Sequence, residues 1–303
     1  MRLFLCIGDF KTDGAALDSG GSLYRLFAFH NFWGWKLEGD KLDEALRRIK
    51  IAKGSAEVLM MDSGAAWVND VYFGKRKDFA GGVPIFNISE FDEKVENYCR
   101  LLREGRNNGL IDVAVELDLD HIVGMAKVKE WRKKLLKTGV EIIPVWRPTQ
   151  GRDEWNEVNK KFKWIAISEG FLGSAMSKET FRTFIKKLVY AGYRNGNRYH
   201  LFAGIKKDVV FDIPLYSTDS STWSSYGRWG ATYAYSKTDF WIYAKRGKFG
   251  LDSFNKQEFI GMADNVFNPH DPAYAAAVSA RAYVEAEKFV TGFWNRKGII
   301  YED

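Results

Sequence analysis

The stretch Val140 to Gly170 reads "VEIIPVWRPTQGRDEWNEVNKKFKWIAISEG". A short apolar run ends at "RPTQG", a charged segment with helical spacing follows, and a second apolar run, "WIAI", comes next. Two parallel strands need a crossover long enough to hold a helix, so this order is the repeating unit of an α/β chain with a parallel sheet. The same order recurs along the chain. It predicts strands at Leu3 to Ile7, Tyr24 to Phe29, Glu57 to Met61, Asp112 to Leu117, Val140 to Trp146, Trp164 to Ile167, His200 to Ile205 and Pro214 to Ser217. Helices are expected at Lys41 to Ala52, Glu90 to Arg103, Lys127 to Lys137, Arg152 to Lys161 and Lys178 to Ala191, several followed by Gly or Asn as helix stops.

Eight such strands close a barrel. The expected fold is therefore α/β, an irregular (β/α)8 TIM-like barrel, with residues 1–303 as a single domain. Its irregular start is the link "DFKTDGAALDSGGSLY", Asp9 to Tyr24, which reads as a loop. After the eighth strand come a basic, aromatic insertion at about 223–255 and an Ala-rich helix from about Pro272 to Phe293.

A chain of 303 residues with 46% hydrophobic and 16% aromatic composition can bury a sizeable core. No run reaches the length of a membrane span, and "MRLFLCIGDF" meets charge too early for a signal peptide, so a cytoplasmic address is expected. Cys6 and Cys99 are too few for a disulfide framework or a cysteine-built metal site, and read as buried free thiols; no metal or cofactor is expected. The formal charge of +6 favours a polyanionic partner. Basic runs sit at Lys75, Arg76 and Lys77, at Lys127 to Lys137, and at Lys245, Arg246 and Lys248. The middle run reads as the solvated face of a helix, while the outer two, with Arg228, are the candidates for nucleic-acid contact.

In such a barrel the strand C-termini form the active face. There the sequence places Asp62 in "VLMMDSGAAW", Glu116 and Asp118 in "VAVELDLD", Arg147 in "IPVWRPTQG", Ser168 and Glu169 in "IAISEG", Gly204 in "YHLFAGI" and Asp219 in "LYSTDSSTW". Glu116 and Asp118, two apart on a strand, are expected on the same side. Each has an ordinary reading as well: an Asp at a strand end caps a helix or a turn, and Glu116 and Asp118 could be structural ion partners. His121 and His200 read as hydrogen-bonded structure. Four carboxylates gathered at one end would repel one another, which structure alone rarely explains.

The ordered series "MDSGAAW", "VELDLD", "IPVWRPTQG", "IAISEG", "YHLFAGI" and "YSTDSSTW" resembles the tRNA-guanine transglycosylase superfamily, in particular its short phage and genomic-island relatives that insert 7-deazaguanines into DNA. The resemblance spans about Leu3 to Trp223. It implies that Asp219 is a nucleophile forming a covalent sugar intermediate and that Asp62 is the acid–base residue. It further implies a base pocket with Asp118, or Glu116 in its place, as the carboxylate that reads the base. Ser168, Glu169, Gly170 and Gly204 would line that pocket, and Trp146 or Tyr216 would stack on the base. The hydroxyls around Asp219 would orient an ionised nucleophile.

Two departures from the family stand out. No cysteine follows Cys99, so the zinc subdomain of the tRNA enzymes is absent or rebuilt, and "WRPTQG" replaces the family's glutamine-glycine pair. The implied partners are DNA, with tRNA the alternative, and a free 7-deazaguanine base such as preQ0 or a derivative. The rival readings are a nucleosidase or glycoside hydrolase that uses water as acceptor, and a non-catalytic nucleic-acid-binding barrel.

Overall fold

The computed structural model describes residues 1–72, 88–168, 177–224, 231–234, 242–245 and 272–301. Its centre is one sheet of parallel strands: β1 (Arg2–Ile7), β2 (Tyr24–Ala28), β3 (Val58–Asp62), β4 (Val113–Val115), β5 (Glu141–Ile143), β6 (Val145–Trp146), β7 (Trp164–Ile167), β8 (Arg198–Leu201) and β9 (Ser217–Ser220). Their order in the sheet is β5-β4-β3-β2-β1-β9-β8-β7-β6.

The two ends of that order, β5 and β6, are neighbours in the chain with only Pro144 between them. Proline has no N–H, which interrupts the ladder on one side. Its carbonyl nevertheless accepts from the Ala166 N–H at 2.9 Å, and the Ile143 carbonyl accepts from the Glu116 N–H at 3.1 Å. β5 and β6 are thus one strand, as expected for Val140 to Trp146, and the eight-stranded ring closes through Pro144. The (β/α)8 barrel is the observed fold.

Side chains alternate across the strands. Phe4, Leu26, Met60, Val113, Val115, Ile143, Val145 and Ala166 fill the barrel, while Leu3, Leu5, Phe27, Leu59, Met61 and Ala114 face the helices. The helices are α1 (Thr12–Gly20), α2 (Asp40–Lys53), α3 (Ala65–Tyr72), α4 (Ile88–Asn107), α5 (Asp120–Val123), α6 (Met125–Leu136), α7 (Gly151–Lys161), α8 (Lys178–Tyr193), α9 (Lys207–Val210) and α10 (Pro272–Arg296). α8 shows why such segments are helical. Ser177 caps it by accepting the Thr180 N–H, and Phe181, Ile185 and Val189, four residues apart, bury one stripe against Ile165, Ile167 and Leu201. Each fully buried side chain of that kind contributes about 1.5–3 kcal/mol.

α1 corrects the expectation of a loop over Asp9 to Tyr24. Asp9 Oδ1 accepts the Lys11 and Thr12 N–H groups, Asp13 Oδ2 accepts those of Gly8 and Asp9, and Gly21 ends the helix in the left-handed region. Its Gly- and Ala-rich face carries little hydrophobic signal because it meets α10 at close range. A Cβ on Gly20 would lie 2.6 Å from that of Ala280. Tertiary contact, not local propensity, makes this helix.

On α6 the lysines are solvated and paired, Lys127 with Asp92 and Lys134 with Glu96, as expected, but Arg132 points inward. Of the basic aromatic insertion, β10 (Ala231–Ala234) and β11 (Ile242–Lys245) are described and form an antiparallel hairpin. No helix among the described residues is long and apolar enough to cross a membrane.

Candidate active site

Asp219 lies on β9, hydrogen-bonded in the sheet between β1 and β8, with Phe4 and Asp219 in register. Its Oδ1 accepts the Ala203 N–H at 2.8 Å, and its Oδ2 accepts the Cys6 thiol at 3.3 Å. His200 Nε2 stands 3.3 Å from Oδ1 without hydrogen-bonding geometry, while His200 Nδ1 lies 3.0 Å from Ser217 Oγ. Burial, reinforced by the Asp219 charge, pushes the Cys6 thiol up, so it faces the carboxylate as a neutral donor.

The hydroxyls of "LYSTDSSTW" act one step further out than expected. Thr218 Oγ1 donates to the Leu201 carbonyl at 2.6 Å and accepts the Gly204 N–H at 3.0 Å. Ser220 accepts the Thr222 N–H, the Thr222 hydroxyl pairs with that of Tyr283, and Trp223 Nε1 donates to the Cys6 carbonyl. They fix the strand and its turn, and a backbone amide and a thiol hold the carboxylate.

Asp62 ends β3, where the chain turns into α3. Its Oδ2 accepts the Gly64 N–H at 3.1 Å, and Gly64 has φ +78 with no room for a side chain, since a Cβ would come within 2.8 Å of that of His30. Behind the turn the buried Tyr98 hydroxyl sits 3.0 Å from the Met61 carbonyl and 2.9 Å from that of Val115, tying β3 to β4. Burial first, and then the charge of Asp219, push the Asp62 carboxyl up to about 6. The two aspartates are electrostatically coupled, though their strands are separated by β1 and β2 in the ring.

Asp118 follows β4 and meets Arg147, which follows β6. Arg147 donates through one terminal nitrogen to the Asp118 carboxylate and, at 2.6 Å, to the Asp118 carbonyl. Its other terminal nitrogen lies 3.0 Å from His121 Nδ1 and 3.2 Å from Asp120 Oδ1. Because Arg147 can only donate, His121 accepts at Nδ1 and carries its proton on Nε2, which donates to Asn69 Oδ1 at 2.6 Å. Burial and the neighbouring Arg147 both lower the His121 pKa. Burial pushes Asp118 up to about 7; Arg147 opposes this, and the charges of Asp62 and Glu116 add to it.

Several of the residues expected in the base pocket or at its edge stand elsewhere or outside the described residues. Glu116 does not share a side with Asp118. Val115 faces the barrel, so alternation itself carries Glu116 into the helix layer, where its two oxygens take Arg132, at 2.5 and 3.0 Å, and the Val145 N–H at 2.7 Å. The alternation breaks at the next residue, Leu117, which also packs in the helix layer, and Asp118 is thereby set on the other side. Arg132 also reaches Glu154, so this is a buried structural network that pins the broken strand β5/β6 to α6 and α7. Trp146 packs outward against Trp155 and Phe184, with Nε1 donating to the Gly151 carbonyl. Tyr216 precedes β9 at its N-terminal end, against Trp164 and Tyr301, and cannot stack on a base at the opposite mouth. Glu169 and Gly170 lie outside the described residues.

Ser168 follows β7 directly, with its N–H on the Trp146 carbonyl, and Gly204 lies beside Asp219 through Thr218. Lys75, Arg76, Lys77, Arg228, Arg246 and Lys248 lie outside the described residues; of Lys245 the backbone on β11 is described. The sequence reading placed Arg147 at the active face without pairing it to Asp118, and it read His121 and His200 as hydrogen-bonded structure and Cys6 as a free thiol without bringing any of them to the aspartates; Ala203 and Asn69 it missed. The register of β1 and β8 against β9 could have found Cys6 and His200, whereas Ala203 acts through its backbone and left no signal.

No protein-family model matches the chain, and no curated protein matches it. Among solved structures, a mutant tryptophan synthase alpha-subunit from the hyperthermophile Pyrococcus furiosus is 11% identical, covering 76% of this chain and 91% of that one at a TM-score of 0.45. A GH5_18 protein from Bifidobacterium longum subsp. longum, in complex with Manb1-4GlcNAc, is 11% identical, covering 95% of this chain and 78% of that one at a TM-score of 0.47.

Proposed function

We propose that this barrel is a base-exchange transglycosylase that replaces guanine in DNA with a 7-deazaguanine derivative. The observation that carries the reading is the coupled pair at one mouth of the barrel. Asp219 is held by donors that favour a carboxylate, while Asp62 is pushed up to about 6 by burial and by Asp219 itself. A carboxyl held by an N–H and a thiol, beside one that burial keeps protonated to higher pH, fits the division into nucleophile and acid.

In the first step a carboxylate oxygen of Asp219 bonds to C1′ of the sugar, and the bond from C1′ to the guanine nitrogen breaks. Its electron pair leaves with the base, which takes the proton of Asp62. In the second step the incoming base gives its ring proton to Asp62 and its nitrogen bonds to C1′, returning Asp219 as a carboxylate. Both protons and both bonds balance. Asp118, held by Arg147, is the acceptor that reads the donor edge of a guanine-like base. A base inside a duplex must be extruded first, or the strand must be single.

The test is a denaturing gel of the protein incubated with labelled DNA. A covalent adduct that resolves on adding a 7-deazaguanine, and that Asp219→Asn fails to form, supports the reading. Release of guanine with no acceptor base present would instead make the protein a hydrolase.

A further inference from the structure

His200 on β8 is fully buried, with its ring edge-on to Phe4 and Phe202, and its two nitrogens face different chemistry. Nδ1 lies 3.0 Å from the Ser217 hydroxyl, which can donate or accept. Nε2 lies 3.3 Å from Asp219 Oδ1, which only accepts in its ionised form, and has no hydrogen-bond partner. A neutral imidazole carries one proton. With that proton on Nδ1, a bare Nε2 lone pair would face a carboxylate oxygen in a buried site, which is repulsive. With it on Nε2, the Ser217 hydroxyl donates to Nδ1 and both nitrogens are satisfied after a small adjustment of Asp219.

We infer that His200, as the Nε2–H tautomer locked by Ser217, is a positioning residue for Asp219, donating to Oδ1 beside the Ala203 N–H when the site is engaged. One oxygen of Asp219 is then held by two N–H groups, and the other meets the Cys6 thiol, a weak donor. The asymmetry selects Oδ2 as the oxygen that bonds to the sugar, while Oδ1 becomes the carbonyl oxygen of the covalent intermediate and stays in its two-donor cradle. His200 touches neither substrate nor base and acts through Asp219. The catalytic consequence rests on the reading of Asp219 as nucleophile; the tautomer does not.

The experiment has a spectroscopic and a kinetic arm, both on the full chain. Nitrogen-15 NMR of the histidine side chains, with His200 assigned by its loss in His200→Gln, is expected to show protonation at Nε2 and an acceptor at Nδ1, and Asp219→Ala is expected to release that preference. An Nδ1–H tautomer in the wild type overturns the inference. Kinetically, His200→Phe should slow adduct formation on single-stranded DNA by about ten-fold or more, the scale of losing one hydrogen bond to a charged group. His200→Gln, which keeps an N–H donor at the same reach, should recover a large part of that rate. Equal rates for His200→Phe and wild type overturn it as well. If no adduct forms with any nucleic acid while the Nε2–H tautomer holds and depends on Asp219, the inference stands and the transglycosylase reading falls.

Discussion

The Ala203 N–H reaches Asp219 Oδ1 from a backbone at φ 52°, and Ala203 is the sole non-glycine among the described residues with positive φ. The left-handed region costs an ordinary L residue about 1–2 kcal/mol, and the strain sits where it aims a donor at the carboxylate. The neighbouring Gly204 N–H is tied to Thr218, so the whole turn after β8 is clamped to β9. Ala203→Gly should raise stability in urea unfolding by up to about 1 kcal/mol, because glycine adopts that conformation without penalty. Ala203→Val should lower it by more than about 1 kcal/mol and slow adduct formation. A valine variant as stable as the wild type would show that the turn is not strained.

Asp62 supplies a prediction in pH. Its folded pKa of about 6 stands above the unfolded value of about 3.9, so the folded state holds a proton that the unfolded state has lost. The stability from this group is therefore complete below about pH 4 and is lost as pH rises through about 6. Asp118 and Glu287, both raised to about 7 chiefly by burial, act with the same sign over a window reaching about 7. Asp62→Asn should flatten the decline and stabilise the protein at pH 8 by about 1–3 kcal/mol, while abolishing base exchange. Because the Asp219 charge is part of the cause, Asp219→Asn should lower the Asp62 pKa in a carboxyl-carbon NMR titration. An unmoved titration would mean that the two carboxyls are not coupled.

Arg147 is almost wholly buried and serves Asp118, His121 and Asp120 together. Arg147→Met leaves the Asp118 carboxyl buried without its cation, and should cost about 3–5 kcal/mol and drive Asp118 toward its neutral form. Arg147→Lys should rescue little, since one ammonium cannot occupy both edges of the fork. Thermal unfolding of the two variants, compared with Asp118→Asn and the double variants, measures the coupling. Additive losses would rule out a shared network.

Much of the barrel was legible because strand periodicity and helix spacing are properties of the side chains themselves. Trp164 to Ile167 reads as a strand from its letters and is one. α1 was not legible, because its stability comes from small residues meeting α10, and smallness carries no period. The same division runs through the site. Asp62, Asp118 and Asp219 stand out as carboxylates at strand ends, and they do gather at one mouth. Glu116 looked equivalent to Asp118, but β4 ends at Val115 and alternation breaks at Leu117, between the two carboxylates, and Arg132 arrives from a helix that the strand pattern does not mention. The donors that hold Asp219 are a backbone N–H and a thiol on a strand distant in sequence, and neither is visible without the register.

DNA and tRNA make different demands on such a barrel. A tRNA enzyme must grip a folded stem-loop, and the cysteines that the resemblance to tRNA-guanine transglycosylases would place after the barrel are not found in residues 100–303. Beyond Asp219 this chain instead runs through the segment Trp223 to Lys248, rich in aromatic and basic residues. Aromatic faces stack on splayed bases and cations track a phosphate backbone, a combination suited to single strands. Labelled 7-deazaguanine should therefore enter single-stranded DNA readily and tRNA poorly under matched salt. Binding should weaken steeply with salt, and the slope should shrink when Lys75, Arg76, Lys77, Arg246 and Lys248 are reversed in charge, because each phosphate no longer neutralised by a cation takes about 0.7 from the single-strand salt exponent. Label that enters tRNA but not DNA would reverse the proposed substrate while leaving the proposed role of Asp219 as nucleophile intact, and a slope unchanged by the charge reversals would move the proposed nucleic-acid path to another face of the barrel.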